Sequence, residues 1–155
     1  MIITLNEIER NLAAQSGMAR MCQNQSNGVK SNGARKLDPD INGMGGELAV
    51  CKYFNRFPDL TIGPHYNGFD LVAKGKKIDV KTTTYDPGYL QCKQSKRISD
   101  ADIYILVIAK FPQFTICGGV TSQSFLQPCN LKDMGYGLNY TLERSQLVPL
   151  ERLFA

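Results

Sequence analysis

Residues 67–85 read NGFDLVAKGKKIDVKTTTY. Two β-prone runs, FDLVA and KKIDV, flank the dipeptide Lys74-Gly75. A two-residue connection ending in glycine is a strong hairpin signal. The register it sets places Ala73 opposite Lys76, Val72 opposite Lys77, Leu71 opposite Ile78 and Asp70 opposite Asp79. Opposed Cβ atoms in such pairs lie about 4.5–5.5 Å apart. Two like charges therefore face each other where a strand pair gains by packing apolar groups. Side chains alternate along a strand, so Lys81 shares a face with Asp79. The hairpin presents two carboxylates and an ammonium on one patch. Two arrangements relieve the repulsion. One is a divalent cation between the carboxylates; the other is a salt-bridge cluster in which Lys77 and Lys81 neutralise the acids.

Upstream, residues 43–57 (GMGGELAVCKYFNRF) fit a helix that stops before Pro58, with Asn42 or Asp40 as its cap. At helical spacing Glu47 neighbours Met44, Val50 and Cys51, with Phe54 two turns on. It therefore lies on or beside the buried face. An ionised Glu there is costly unless paired or bound to metal, although the positive end of the helix dipole also favours an acid in the first turn. Gly43, Gly45 and Gly46 each cost roughly 1 kcal/mol relative to Ala in a helix. Their presence implies a helix start that approaches another element closely.

Working outward, residues 4–22 predict a first helix. Thr4 and Glu7 match a capping box, and Leu5, Ile8, Leu12 and Ala19 form an apolar stripe. Residues 23–40, rich in Asn, Ser and Gly and carrying Lys30, Arg35 and Lys36, read as a loop or mobile arm. It is either a plain linker or a segment that orders on nucleic acid. Strands are expected at 60–65, 68–73, 76–83 and 88–93, with a helical turn at 94–101. DIYILVIAK (102–110) has the β-branched composition of a strand buried on both faces. FTICGGV (114–120) predicts a further strand, bulged at Gly118-Gly119. The pattern is that of an α/β protein: one domain over 1–155, with a central mixed β-sheet flanked by helices and a core at 43–120.

The chain has 18 basic and 14 acidic residues, a net charge of +4. This mild excess permits a polyanionic partner without requiring one. The basic residues are concentrated locally. Lys74, Lys76, Lys77, Lys81, Lys93, Lys96 and Arg97 lie in one stretch that holds only Asp79 and Asp86 as acids. They are either a solvated sheet edge, where lysines block strand addition, or phosphate contacts. The five cysteines form no C-x-x-C pair, and the single histidine, His65, has no second ligand at metal spacing. A zinc site and a disulfide framework are thereby disfavoured. Cys51 and Cys117 sit in apolar runs and read as core residues. The opening residues lack the pattern of a signal peptide, and no apolar run approaches the roughly 20 residues of a membrane span. A cytoplasmic protein with no membrane association is expected.

The order of helical Glu47, Asp70 and Asp79-Val80-Lys81 resembles the PD-(D/E)XK superfamily of restriction-endonuclease-like nucleases. Asp70 matches the first acid, within GFD rather than a literal PD. Asp79, Val80 and Lys81 match the tripeptide, and Glu47 matches the helical acid. The matched residues span 43–82. The resemblance implies a restriction-endonuclease-like core and a Mg²⁺-dependent nuclease, Mn²⁺ substituting, that hydrolyses phosphodiester bonds of nucleic acid, with DNA the expected form. It assigns metal binding to Asp70, Asp79, the Val80 carbonyl and Glu47. Lys81 is assigned to the attacking water or the developing charge, and Gln91 to an auxiliary role. Lys74, Lys76, Lys77, Lys93, Lys96 and Arg97 are the implied phosphate contacts. The small size is similar to stand-alone nucleases of phages or mobile elements, and by analogy a homodimer is implied. Two other readings stay open: a non-catalytic nucleic-acid-binding domain on the same fold, and a protein-interaction domain that docks through the charged hairpin. Tyr85, Tyr89 and Tyr104 are aromatic residues able to stack on bases, with core packing the alternative for Tyr104.

Overall fold

The computed structural model of the chain describes residues 1–26, 38–61, 63 and 68–155. Its central strand is β5 (Ile103–Lys110), as the DIYILVIAK run predicts; all but the last of its residues are buried. Alternate side chains of β5 enter two different cores. Ile103, Ile105, Val107 and Ala109 pack into one, and Tyr104 and Leu106 into the other. A strand can be this apolar only if both faces are covered.

Five strands form the main sheet. The hairpin strands β2 (Leu71–Ala73) and β3 (Lys76–Thr83) take the predicted register, Leu71 to Ile78, Val72 to Lys77 and Ala73 to Lys76. The turn residues Lys74 and Gly75 have φ of 48° and 72°. Positive φ at both central positions is the type I′ geometry that matches strand twist. β3 then pairs in parallel with β5, which pairs antiparallel with β6 (Gln113–Thr121), and β6 with β1 (Ile2–Thr4). The sheet is mixed, in the order β1-β6-β5-β3-β2. The bulge expected at Gly118-Gly119 falls beside it: the register with β5 slips between Gly118 and Ile116, leaving Cys117 as the extra residue. A second sheet, β4 (Tyr89–Lys93), β8 (Leu138–Glu143) and β7 (Leu131–Asp133), closes the other core with Leu90, Cys92 and Leu142.

The first core is covered by helix α2 (Asp38–Tyr53), through Met44, Leu48 and Cys51. It begins earlier than expected, so Asp40 and Asn42 are helical rather than caps. It closes at Asn55, whose φ of 52° lets the Arg56 N–H bond the Cys51 carbonyl at 2.8 Å. The glycines do allow close approach. A Cβ on Gly45 would enter the ring of Phe114, and one on Gly46 would overlap the Thr82 side chain, whereas Gly43 faces open space.

Helix α1 (Glu7–Ser26) corrects the sequence reading in two ways. Thr4 is committed to β1 opposite Gln113, so the capping box moves to Asn6 and Glu9. Of the expected stripe, Leu5 is in the core and Leu12 packs on it, but Ile8 is 79% exposed, and among the described residues Ala13, Ser16 and Gly17 are the buried ones of α1. A Cβ on Gly17 would lie 2.8 Å from the Ile41 backbone, so this small-residue face lets α1 and α2 touch. The strand expected at 60–65 does not form at 60, 61 or 63, and its other positions, with His65, lie outside the described residues. So do Lys30, Arg35 and Lys36. The turns at 94–101 are hydrogen-bonded from Lys96 to Lys93 and from Asp100 to Arg97. Short helices follow at Ser122–Phe125 (α3) and Leu150–Leu153 (α4). Among the described residues no helix is long and apolar enough to cross a membrane, and all five cysteines are free.

The glycine geometry predicts opposite outcomes for two alanine substitutions two residues apart. Gly45→Ala forces a methyl into the Phe114 ring and should cost about 1–3 kcal/mol in urea unfolding. Gly43→Ala fills open space and should stabilise the helix by up to about 1 kcal/mol. Equal effects would contradict this packing.

Candidate active site

Strand β3 faces two ways. Ile78 and Val80 enter the core under α2, whereas Asp79 and Lys81 are register partners of Tyr104 and Leu106 and face the second core. Asp79 is 2% exposed. A buried carboxylate needs partners, and it has two cations. Lys96 lies 2.7 Å from Oδ2 and also donates to the Gly68 carbonyl at 2.8 Å; Lys81 contacts Oδ1. Of the two lysines expected to neutralise the acids, Lys81 does so. Lys77 instead stands exposed, 5.5 Å from the Phe69 ring centre.

Asp70 lies just before β2, where the regular register ends at the Leu71–Ile78 pair, so the expected direct pairing of Asp70 with Asp79 is not part of the ladder. Its N–H donates to the Ile78 carbonyl at 2.8 Å, and its Oδ2 accepts the Val80 N–H at 2.7 Å. Surrounding protein atoms crowd the carboxyl, and the charges of Glu47 and then Asp79 act on it. Together these push its pKa up to about 7 from 3.8, against the Val80 N–H and the Lys81 charge. Of the three acids, Glu47 and Asp79 thus both act on Asp70.

Glu47 projects from α2 and is 14% exposed at its side chain. Its two oxygens accept a forked pair of hydrogen bonds from Arg20 Nη1 and Nη2, at 2.7 and 2.9 Å. Bidentate pairs of this kind are the strong, geometrically specific ones. Arg20 continues the Ala13, Ser16 and Gly17 face of α1, so the same small residues that let the helices touch bring the guanidinium to Glu47. Burial works against the Arg20 charge, but Glu47, with help from Asp70, more than offsets it and raises the pKa. Lys81 behaves alike. Burial opposes its ammonium, yet Asp79 and then Asp70 hold the pKa above the ordinary lysine value.

Sequence reasoning missed Arg20, since nothing local links it to a residue 27 positions away. It also assigned Lys96 to the nucleic-acid backbone, whereas the lysine spans Asp79 and Gly68. The other basic residues separate. Lys93 lines a cavity of about 490 Å³ with Lys81, Gln91 and Lys96. Lys74, on the hairpin turn, borders a different groove beside Tyr53, Phe54 and Arg56. Lys76, Lys77 and Arg97 are exposed. Gln91 does share its surroundings with Lys81; its amide donates to Thr141 at 3.3 Å, and its Oε1 accepts the Tyr136 hydroxyl at 2.8 Å.

The donors here are all oxygen, which suits a hard cation such as Mg²⁺. Asp70 has one N–H donor and two neighbouring anions, and a cation would relieve it. Among the described residues no three Asp, Glu, His or Cys side chains cluster tightly enough to cage a metal alone. A cation there would be held by one or two carboxylates and completed by water, as Mg²⁺ accepts. No family model, no curated protein and no solved structure matches the chain.

The raised Asp70 pKa has a definite sign in stability. Between about 3.8 and about 7 the folded chain holds a proton that the unfolded chain has released. Stability therefore falls as pH rises through that window, and the full penalty stands above it. In EDTA, Asp70→Asn should raise the melting temperature, by more at pH 8 than at pH 5. A gain that is the same at both values would show that Asp70 does not titrate there.

Proposed function

We propose that this protein is a metal-dependent nuclease of restriction-endonuclease-like type, hydrolysing phosphodiester bonds of DNA. One observation carries the reading: Asp70, bonded to the Val80 N–H beside the Asp79-Val80-Lys81 run, is crowded by protein atoms and bears the charges of both Glu47 and Asp79, while Lys81 contacts Asp79. Folding alone gains nothing from carboxylates that repel one another. The mixed sheet, with β3 parallel to β5 and antiparallel to β2, supports the same reading.

Asp70, Asp79 and the Val80 carbonyl would hold Mg²⁺, with Glu47 at its margin. When bound, the ion would polarise the phosphoryl oxygen and make a water nucleophilic near neutral pH. Lys81 stays protonated through its contact with Asp79, so it serves as a positive charge beside the developing phosphorane oxygens rather than as a base. Lys96 holds Asp79 in place from the opposite oxygen. Arg20 fixes the rotamer of Glu47 and keeps a second fixed positive charge near Asp70. Lys93 and the exposed lysines of the hairpin supply affinity for the backbone without reading sequence.

A second reading rests on the same ion pairs. Three acids meet three cations, Arg20, Lys81 and Lys96, and such balance also suits a non-catalytic nucleic-acid-binding domain. Incubation with DNA separates the two. A nuclease should cleave with Mg²⁺ or Mn²⁺ and not in EDTA. Asp79→Ala should abolish cleavage, and Lys81→Met should slow it about 10²–10³-fold. Cleavage that survives Asp79→Ala, or salt-sensitive binding with no cleavage in either metal, would remove the catalytic assignment.

A further inference from the structure

Lys81 opens onto more than the acids. Beside it lies a cavity of about 500 Å³ lined by Tyr85, Tyr89, Gln91, Met134 and Tyr136. The neighbouring cavity of about 490 Å³ shares Lys81, Gln91 and Tyr136 with it and adds Lys93 and Lys96. Because Lys81, Gln91 and Tyr136 line both, the two cavities adjoin, and together they make a trough bordered by tyrosines on one side of the candidate catalytic lysine and by Lys93 and Lys96 on the other.

The aromatic end is built rather than incidental. The rings of Tyr85 and Tyr89 are parallel within 10°, with centres 5.8 Å apart. Tyr85 is 56% exposed and Tyr136 66% exposed, so neither ring is accounted for by core packing. Tyr136 is nevertheless held, through its hydroxyl on Gln91 Oε1. Gln91 is itself tied to Thr141 in the neighbouring strand β8. Exposed but positioned rings near the exposed ammonium of Lys93, with Lys81 between them, match what an unpaired nucleotide offers, a flat π-face joined to a phosphate. A cavity of this size is of the order that holds a small ligand, about 300–1,000 Å³.

We propose that this trough binds an unpaired nucleotide of the substrate strand. A base extends the Tyr85–Tyr89 stack or lies against Tyr136, and the adjoining phosphate lies by the exposed Lys93 on the way to Lys81. A base inside a duplex has both faces covered by its neighbours, so only a single-stranded or extruded base can use the platform. The proposal rests on the nuclease reading for the direction of the strand, and it narrows the substrate class to DNA with unpaired nucleotides at the cleavage position.

The test uses binding in EDTA, where no cleavage intervenes. Fluorescein-labelled oligo-dT and its duplex with oligo-dA are titrated by anisotropy. The wild-type chain should favour oligo-dT. Tyr85→Ala and Tyr136→Ala should each weaken oligo-dT binding roughly five- to a hundredfold, the range of a lost base stack. Tyr136→Phe should bind more tightly than Tyr136→Ala, because the ring matters beyond its hydroxyl. The chain contains no Trp, so Tyr85→Trp gives a sole indole whose fluorescence should be quenched by oligo-dT. Equal or tighter duplex binding, alanine variants that bind like wild type, or an indole unaffected by bound oligo-dT would each overturn the proposal. The nuclease reading fails separately: stacking without Mg²⁺- or Mn²⁺-dependent cleavage sinks the catalysis alone, and cleavage of duplex that ignores both tyrosines sinks the platform alone.

Discussion

Asp79 is a charge inside the protein, held between Lys81 on its own strand and Lys96 from the turns after β4. Removing either ammonium would leave a buried carboxylate short of a partner, which is far costlier than any surface pair. That requirement organises what surrounds it. It draws the 94–101 turns against the hairpin, through the further bond from Lys96 to Gly68. It also fixes Lys81 at the mouth of the trough. β3 can carry such a group because its other face supplies Ile78 and Val80 to the main core.

The neutralisation is uneven. Asp79 has two cations and Glu47 has the fork of Arg20, whereas among the described residues the Asp70 carboxylate is hydrogen-bonded by the Val80 N–H and feels Lys81 only through its charge. Its carboxyl therefore bears the repulsion of both neighbours as well as the crowding around it, and its pKa climbs accordingly. Perturbed groups of this kind cluster at functional sites, as they do in buried ion-pair networks. The acids are supplied by separate elements, with α2 giving Glu47 and the hairpin giving Asp70 and Asp79. The site thus depends on α2 lying close to the sheet, and Gly45 and Gly46 permit that approach. α1 reaches the same point through Ala13, Ser16 and Gly17.

Much of this could be read along the chain where the signal is local. The hairpin register from the Leu71–Ile78 pair to the Ala73–Lys76 pair followed from Lys74-Gly75 and strict alternation, but Asp70 leaves the ladder and its N–H bonds to the Ile78 carbonyl instead of pairing with Asp79. The two-faced burial of β5 followed from its β-branched run. What stayed hidden depends on partners distant in sequence. A face made of Ala, Ser and Gly has no hydrophobic signature, so Ile8, which is exposed, looked more like core than Gly17 did. The pairing of Arg20 with Glu47 follows from a helix crossing that no spacing encodes. Lys96 looked like one more lysine in a basic stretch until the turns brought it to Asp79. Tyr136 lies 45 residues from Gln91, and only the pairing of β4 with β8 brings them together.

The central claim is that the unrelieved carboxylate of Asp70 completes a place for one hard cation. Titration with Mn²⁺, followed by the loss of its free electron-paramagnetic-resonance signal at pH 8, asks this without any substrate. Saturable binding by the wild-type chain, largely lost in Asp70→Asn while that variant remains folded, is the predicted result. No saturable binding, or a variant that takes up Mn²⁺ as the wild type does, would contradict it.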